Sequence, residues 1–155
     1  MNKGLKDICF FGMIFLLIDQ IIKIILSSKM IVNQSFIVIK DFFSITLVHN
    51  NGAAFSLLSG NTFLLIFIGL AALIGLIIYI KQLEVIDDFD IFTYSLLFGG
   101  IVGNLIDRII YGYVIDYLSF NFNGYFFPIF NFADICIVIS IVIMIFRTLR
   151  EDLWK

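Results

Sequence analysis

The sequence predicts an all-α membrane protein: four transmembrane helices, a small β-element outside the bilayer, and both termini on the cytoplasmic side. Three observations carry that prediction. The chain of 155 residues is 61% hydrophobic and 14% charged with a mean hydropathy of +1.08, too apolar for a water-soluble domain of this size. Its apolar residues fall into four runs long enough, at about 1.5 Å per helical residue, to cross a hydrocarbon core about 30 Å thick. Lys and Arg gather at one end of the alternating spans.

The first span covers about 8–26. Lys3 and Lys6 precede it as in a secretory signal, but no small-residue cleavage pattern follows and Asp19 and Lys23 interrupt the run, so it reads as a retained helix. The second span, 62–80, holds no charge. The third, 91–110, and the fourth, 131–147, reach spanning length only if Asn104, Asp107, Arg108 and Asp134 are accepted inside them or at their ends. With these spans, Lys3, Lys6, Lys81, Arg147, Arg150 and Lys155 lie on one side, against Lys29 and Lys40 on the other, with Lys23 and Arg108 at its boundary. That asymmetry makes the termini cytoplasmic.

In the first outer loop, residues 36–39 and 43–48 form two β-branched runs split by Lys40 and Asp41, the second alternating with period two. They predict a small antiparallel sheet resting on the membrane surface. Residues 114–118 offer it a further strand. The rest of the second outer loop, to 130, mixes aromatics suited to the interface with Pro128, the only proline. No repeat or domain boundary is visible, so residues 1–155 read as one domain.

Composition also excludes partners. A net charge of -2 and the absence of a basic cluster argue against nucleic acid. Cys9 and Cys136 fall near opposite membrane faces and read as apolar packing residues rather than a disulfide. There is no Cys/His spacing of the metal-binding kind, and neither metal nor cofactor is expected.

A charge at the centre of a bilayer costs about 3 kcal/mol, so ionisable residues there have a partner and usually a function. Four carboxylates, Asp19, Asp107, Asp116 and Asp134, lie in apolar surroundings. Asp19 and Lys23, four apart, share a helix face. They either neutralise each other to lock helix packing or help hold a polar site. In the third span, Gly99 and Gly103 form a small-xxx-small pair that admits a neighbouring helix, beside a polar stripe of Asn104, Asp107 and Arg108.

Asp116 follows the outer end of the third span and Asp134 begins the fourth on the same side, so the two acids are placed to meet at the outer boundary. Two carboxyls that close cannot both ionise cheaply; sharing a proton, one activates water as a base while the other polarises a carbonyl as an acid. Their pKa values then belong to the pair. Asn131, three before Asp134, is read on the same helical face. The plainer account of Asp134, a first-turn helix residue, leaves Asp116 unexplained. After the predicted sheet, a run of small residues containing Asn50, Gly52 and Ala54 suits close approach to an extended peptide. His49, the only histidine, reads as an interfacial bystander, and Ser56 has no base in sight.

Taken together, these segments resemble the bacterial lipoprotein signal peptidase family, also called signal peptidase II, over essentially the whole chain. The family's first-helix Asp with a Lys four later matches Asp19 and Lys23. Its VxNxGAAFS motif stands here as VHNNGAAFS, with Asn50, Gly52 and Ala54. Its GNxxDRxxxGxVxDF motif stands as GNLIDRIIYGYVIDY, carrying Asn104, Asp107, Arg108 and, as the family's first catalytic acid, Asp116. Its FNxAD motif stands as FNFAD, carrying Asn131, Ala133 and the second catalytic acid, Asp134. Tyr117 replaces a frequent Phe and Ile101 a frequent Ala; neither is expected to touch the acidic pair.

The resemblance implies a four-helix enzyme of the bacterial cytoplasmic (inner) membrane, with a β-cradle and an active site at the extracytoplasmic face. Its substrates are prolipoproteins whose Cys bears diacylglycerol, cleaved on the amino side of that Cys. It also implies block by the cyclic peptide antibiotic globomycin. Two other classes compete on the residues alone. A metal-dependent lipid phosphotransferase would lose activity to a strong chelator. A small transporter relaying ions through Asp19, Lys23 and Arg108 would show flux in liposomes.

Overall fold

The computed structural model describes residues 3–52 and 60–153. Along the chain run α1 (Lys3–Lys29), β1 (Ser35–Ile39), β2 (Phe43–Asn50), α2 (Thr62–Gln82), α3 (Asp88–Tyr111), β3 (Val114–Phe122), β4 (Tyr125–Phe126) and α4 (Phe132–Leu153). All four helices are long and apolar enough to cross a membrane. Because the helices alternate in direction, α1 begins and α4 ends at one end of the bundle, and the strands gather at the other.

The helices overrun the predicted spans because polar residues at their ends continue or cap them. Asp87 caps α3: its carboxylate accepts from Asp90 N at 2.7 Å, and the Asp90 carboxylate accepts from Asp87 N at 3.2 Å, a reciprocal capping box. At the far end, Gly112 takes the left-handed conformation (φ 80°) that stops the helix.

α3 is the central helix, packed on α1, α2 and α4. A Cβ on Gly99 would lie 2.7 Å from the Gly12 carbonyl oxygen, and one on Gly103 would lie 2.7 Å from Asp19 Oδ2. The small-xxx-small pair therefore lets α1 approach closely enough for its acid to reach across. By contrast α2 buries little, and Phe63, Phe67, Ile74 and Ile78 are exposed, as side chains facing lipid are.

At the terminal end, Leu5, Ile8, Leu76, Ile80 and Tyr94 form an apolar cluster. Arg147 of α4 closes that end on α3, reaching Asp90 at 2.6 Å and Asp87 at 3.2 Å. Cys9 and Cys136 are free thiols.

The sheet is antiparallel in the order β1-β2-β3-β4. Both predicted outer-loop strands form, 114–118 extends into the longer β3, and the two-residue β4 is added. A register shift between Ile45 and Val48 sets Val48 opposite Asp116 and Asn50 opposite Val114. This register carries Asn50 alongside the acid of the neighbouring strand.

Candidate active site

The site is built on a buried ion cluster. Lys23 Nζ lies 2.8 Å from Asp19 Oδ2, 2.8 Å from Asp107 Oδ2 and 3.0 Å from Asn104 Oδ1, which occupies all three of its hydrogens. Lys23 is 1% exposed. Such a charge is held in an apolar interior only by complete pairing. The second oxygen of Asp19 accepts from Ala133 N at the start of α4 (3.0 Å), and Asp107 Oδ2 accepts from Ile115 N on β3 (3.1 Å). One cluster thus ties α1, α3, α4 and β3 together. Gln20, not among the candidate residues of the first span, adds donation from Nε2 to Asp107 Oδ1 at 3.0 Å. A polar residue beside Asp19 inside an apolar span was its available signal.

Above this cluster sit three asparagines. Lys23 has only donors, so it fixes the Asn104 amide with its oxygen inward. The Asn104 Nδ2 is then aimed outward at Asp134 Oδ1, 2.7 Å away. Asn131 is not on the helix face of Asp134, as the three-residue spacing suggested, because α4 begins only at Phe132. It is the residue before the helix, and its Oδ1 accepts from Asp134 N (2.9 Å) while its own N donates to Asp134 Oδ2 (3.2 Å). The capping account of Asp134 therefore holds, and it coexists with a cavity-facing carboxylate.

From that position Asn131 Nδ2 donates to Asp116 Oδ1 at 2.7 Å and to Asn104 Oδ1 at 3.1 Å. Asn50 Nδ2 donates to Asp116 Oδ2 at 2.8 Å, and Asn50 Oδ1 accepts from Gly52 N at 2.9 Å. The two acids thus share one asparagine, which binds Asp116 through its side chain and Asp134 through its backbone.

Both acids line a cavity of about 900 Å³ together with Asn50, Asn104 and Arg108. Its walls are Phe127, Pro128, Ile129 and Phe130 on one side and Ile135, Ile137, Val138 and Ile139 of α4 on the other. Asp116 is buried, whereas Asp134, expected to be equally enclosed, is half-buried. Burial, reinforced by the neighbouring Asp134 charge, raises the Asp116 carboxyl to about 7. Arg108 Nη2 donates to the Gly52 carbonyl (3.0 Å) and Nη1 to the Asn104 carbonyl (3.3 Å). Among the described residues, its buried Nε finds no acceptor.

His49 stacks on Tyr113 with ring centroids 3.8 Å apart and borders the cavity. Burial lowers its pKa. Ala54 and Ser56 lie outside the described residues.

The family profile described as Signal peptidase (SPase) II matches residues 11–150. This chain belongs to the signal peptidase II family. A lipoprotein signal peptidase of Halothermothrix orenii is 41% identical to it, with 90% of this chain and 93% of that protein aligned. One of Clostridium acetobutylicum is 37% identical (88% and 90%), and one of Staphylococcus aureus 39% identical (86% and 82%). Two solved bacterial membrane enzyme structures are each 36% identical to it. Their TM-scores are 0.87 and 0.81, covering 94% and 90% of this chain and 89% and 90% of theirs. The described residues of the family's four motifs come from α1, α3, α4 and the β2–β3 pair, and meet at the sheet end of the bundle.

Proposed function

We propose that this chain is an intramembrane aspartic endopeptidase that removes signal peptides from diacylglyceryl-modified prolipoproteins, cutting on the amino side of the lipidated Cys. The observation that carries this reading is the pair Asp116 and Asp134, held by one asparagine and lining one cavity. Asp116, with its carboxyl raised to about 7 by burial and the Asp134 charge, is the proton carrier. Asp134 sits in the first turn of α4, where the helix dipole and backbone N–H favour a carboxylate.

In this mechanism Asp134 takes a proton from water as its oxygen bonds to the scissile carbonyl carbon, while Asp116 gives its proton to the carbonyl oxygen. The tetrahedral intermediate collapses as the amide nitrogen accepts the proton from Asp134 and the C–N bond breaks. The hydroxyl returns its proton to Asp116. The products are a carboxyl-terminated signal peptide and a lipidated Cys with a free amine, and both acids are restored.

Asn50 and Arg108, whose Nε has no acceptor among the described residues, hold the extended peptide beside the pair. Gly52 and Ala54 let its backbone come close. Lys23, Asp19, Asp107, Asn104, Asn131 and Ala133 position the acids. The apolar α4 wall suits lipid tails that stay in the bilayer. The protein works in the bacterial cytoplasmic membrane, with the site at the extracytoplasmic face, and sensitivity to globomycin is expected.

The test is purified protein with a diacylglyceryl-modified precursor. Asp116→Asn and Asp134→Asn should each abolish cleavage while the variants insert and fold. Normal turnover by either one would refute the assignment, and loss of wild-type activity on chelation would favour a metal enzyme instead.

A further inference from the structure

We infer that Tyr117 is a positioning residue: by holding the Phe132 N–H, its hydroxyl fixes the first turn of α4, and with it Asp134, against the strand that carries Asp116. The inference rests on the proposed dyad and concerns how its two halves are kept in register.

The first N–H groups of a helix have no partner within the helix. In α4 they are satisfied from three directions. Phe132 N donates to Tyr117 Oη at 3.1 Å, Ala133 N to Asp19 Oδ1 at 3.0 Å and Asp134 N to Asn131 Oδ1 at 2.9 Å. Only the first of these comes from a β3 side chain. The backbone prepares it: Tyr117 N and Leu118 N both donate to Phe130 O (3.0 and 2.8 Å), and Phe130 N donates to Leu118 O (3.2 Å).

Residues 117–118 therefore grip the approach to α4, and the tyrosine oxygen carries that grip onto the helix itself. Tyr117 is 4% exposed, and burial raises its pKa, so the hydroxyl stays neutral. Strand alternation points it to the opposite face from Asp116, and it does not line the cavity. It therefore acts through α4 rather than on substrate. A Phe, frequent at this place in the resembling motif, would keep the ring and lose the tie.

The test is Tyr117→Phe in the full-length protein, assayed with a diacylglyceryl-modified precursor. The kcat should fall about three- to tenfold, the range a single lost hydrogen bond gives, with KM unchanged. The two limbs of the pH–rate bell should also move toward each other, because looser acids couple less strongly. Lys23 and Arg108, the cations whose charge acts on the pair, are the same in both proteins, so they do not imitate this narrowing.

In a Phe132→Pro background the donor is absent, and proline is tolerated at a first helical position. There Tyr117→Phe should cost nothing more; a repeated loss overturns the inference. So does a lowered melting temperature with kcat and the bell unchanged, which is a structural role alone. Turnover by Asp116→Asn would sink the dyad itself, whatever Tyr117→Phe does.

Discussion

Both carboxylate oxygens of Asp116 receive amide donors, which favours the charged form, yet its carboxyl is raised to about 7 because burial and the Asp134 charge outweigh them. The sign of the consequence follows from linkage. Between the ordinary carboxyl value of 3.8 and about 7, the folded protein holds a proton that the unfolded chain has released. The stabilisation is complete below that window and is lost as pH rises through it. Melting temperature in micelles should therefore fall across this interval in the wild type, and less steeply in Asp116→Asn; parallel curves would show that Asp116 does not titrate there. On the proposed mechanism, activity also declines as pH rises past about 7, when the acid is spent.

Among elements, the cluster of Lys23, Asp19 and Asp107 joins α1 to α3 and, through its carboxylates, to α4 and β3. Removing the cation alone leaves two buried carboxylates uncompensated, so Lys23→Met should destabilise by about 3–5 kcal/mol in denaturant unfolding. Adding Asp19→Asn and Asp107→Asn should restore much of the loss; a single variant as stable as the wild type would show the ion cluster to be dispensable. This cluster was half legible in the sequence. The i,i+4 spacing announced Asp19 with Lys23, the β-branched runs announced β1 and β2, and 114–118 offered the start of β3. Asp107 as the third member was not legible, because its partner lies 84 positions back along the chain and only the Gly103 gap brings them together. β4 was too short to have a period. Asn131 was assigned to the wrong side of a helix boundary that moved by one residue. The Tyr117 tie depends on a hydroxyl crossing between elements, which no local pattern encodes.

For the molecule as a whole, the chain's topology sets the sheet and cavity at one end and the Arg147 ion pairs with the apolar cluster at the other. Lys6, Lys81, Arg147 and Arg150 lie at the second end; Lys29 and Lys40 lie beside the sheet, and Lys23 and Arg108, also toward that end, are engaged inside the site. Since such residues resist translocation, the cavity end should face away from the cytoplasm. Lys40 and Lys81 are both exposed and sit at opposite ends, so they report the orientation directly. After Cys9 and Cys136 are replaced by Ala, Lys40→Cys should react with a membrane-impermeant maleimide added to intact cells. Lys81→Cys should react only after lysis. The reverse pattern would place the acids on the cytoplasmic side, where a precursor already carried across the membrane does not reach them.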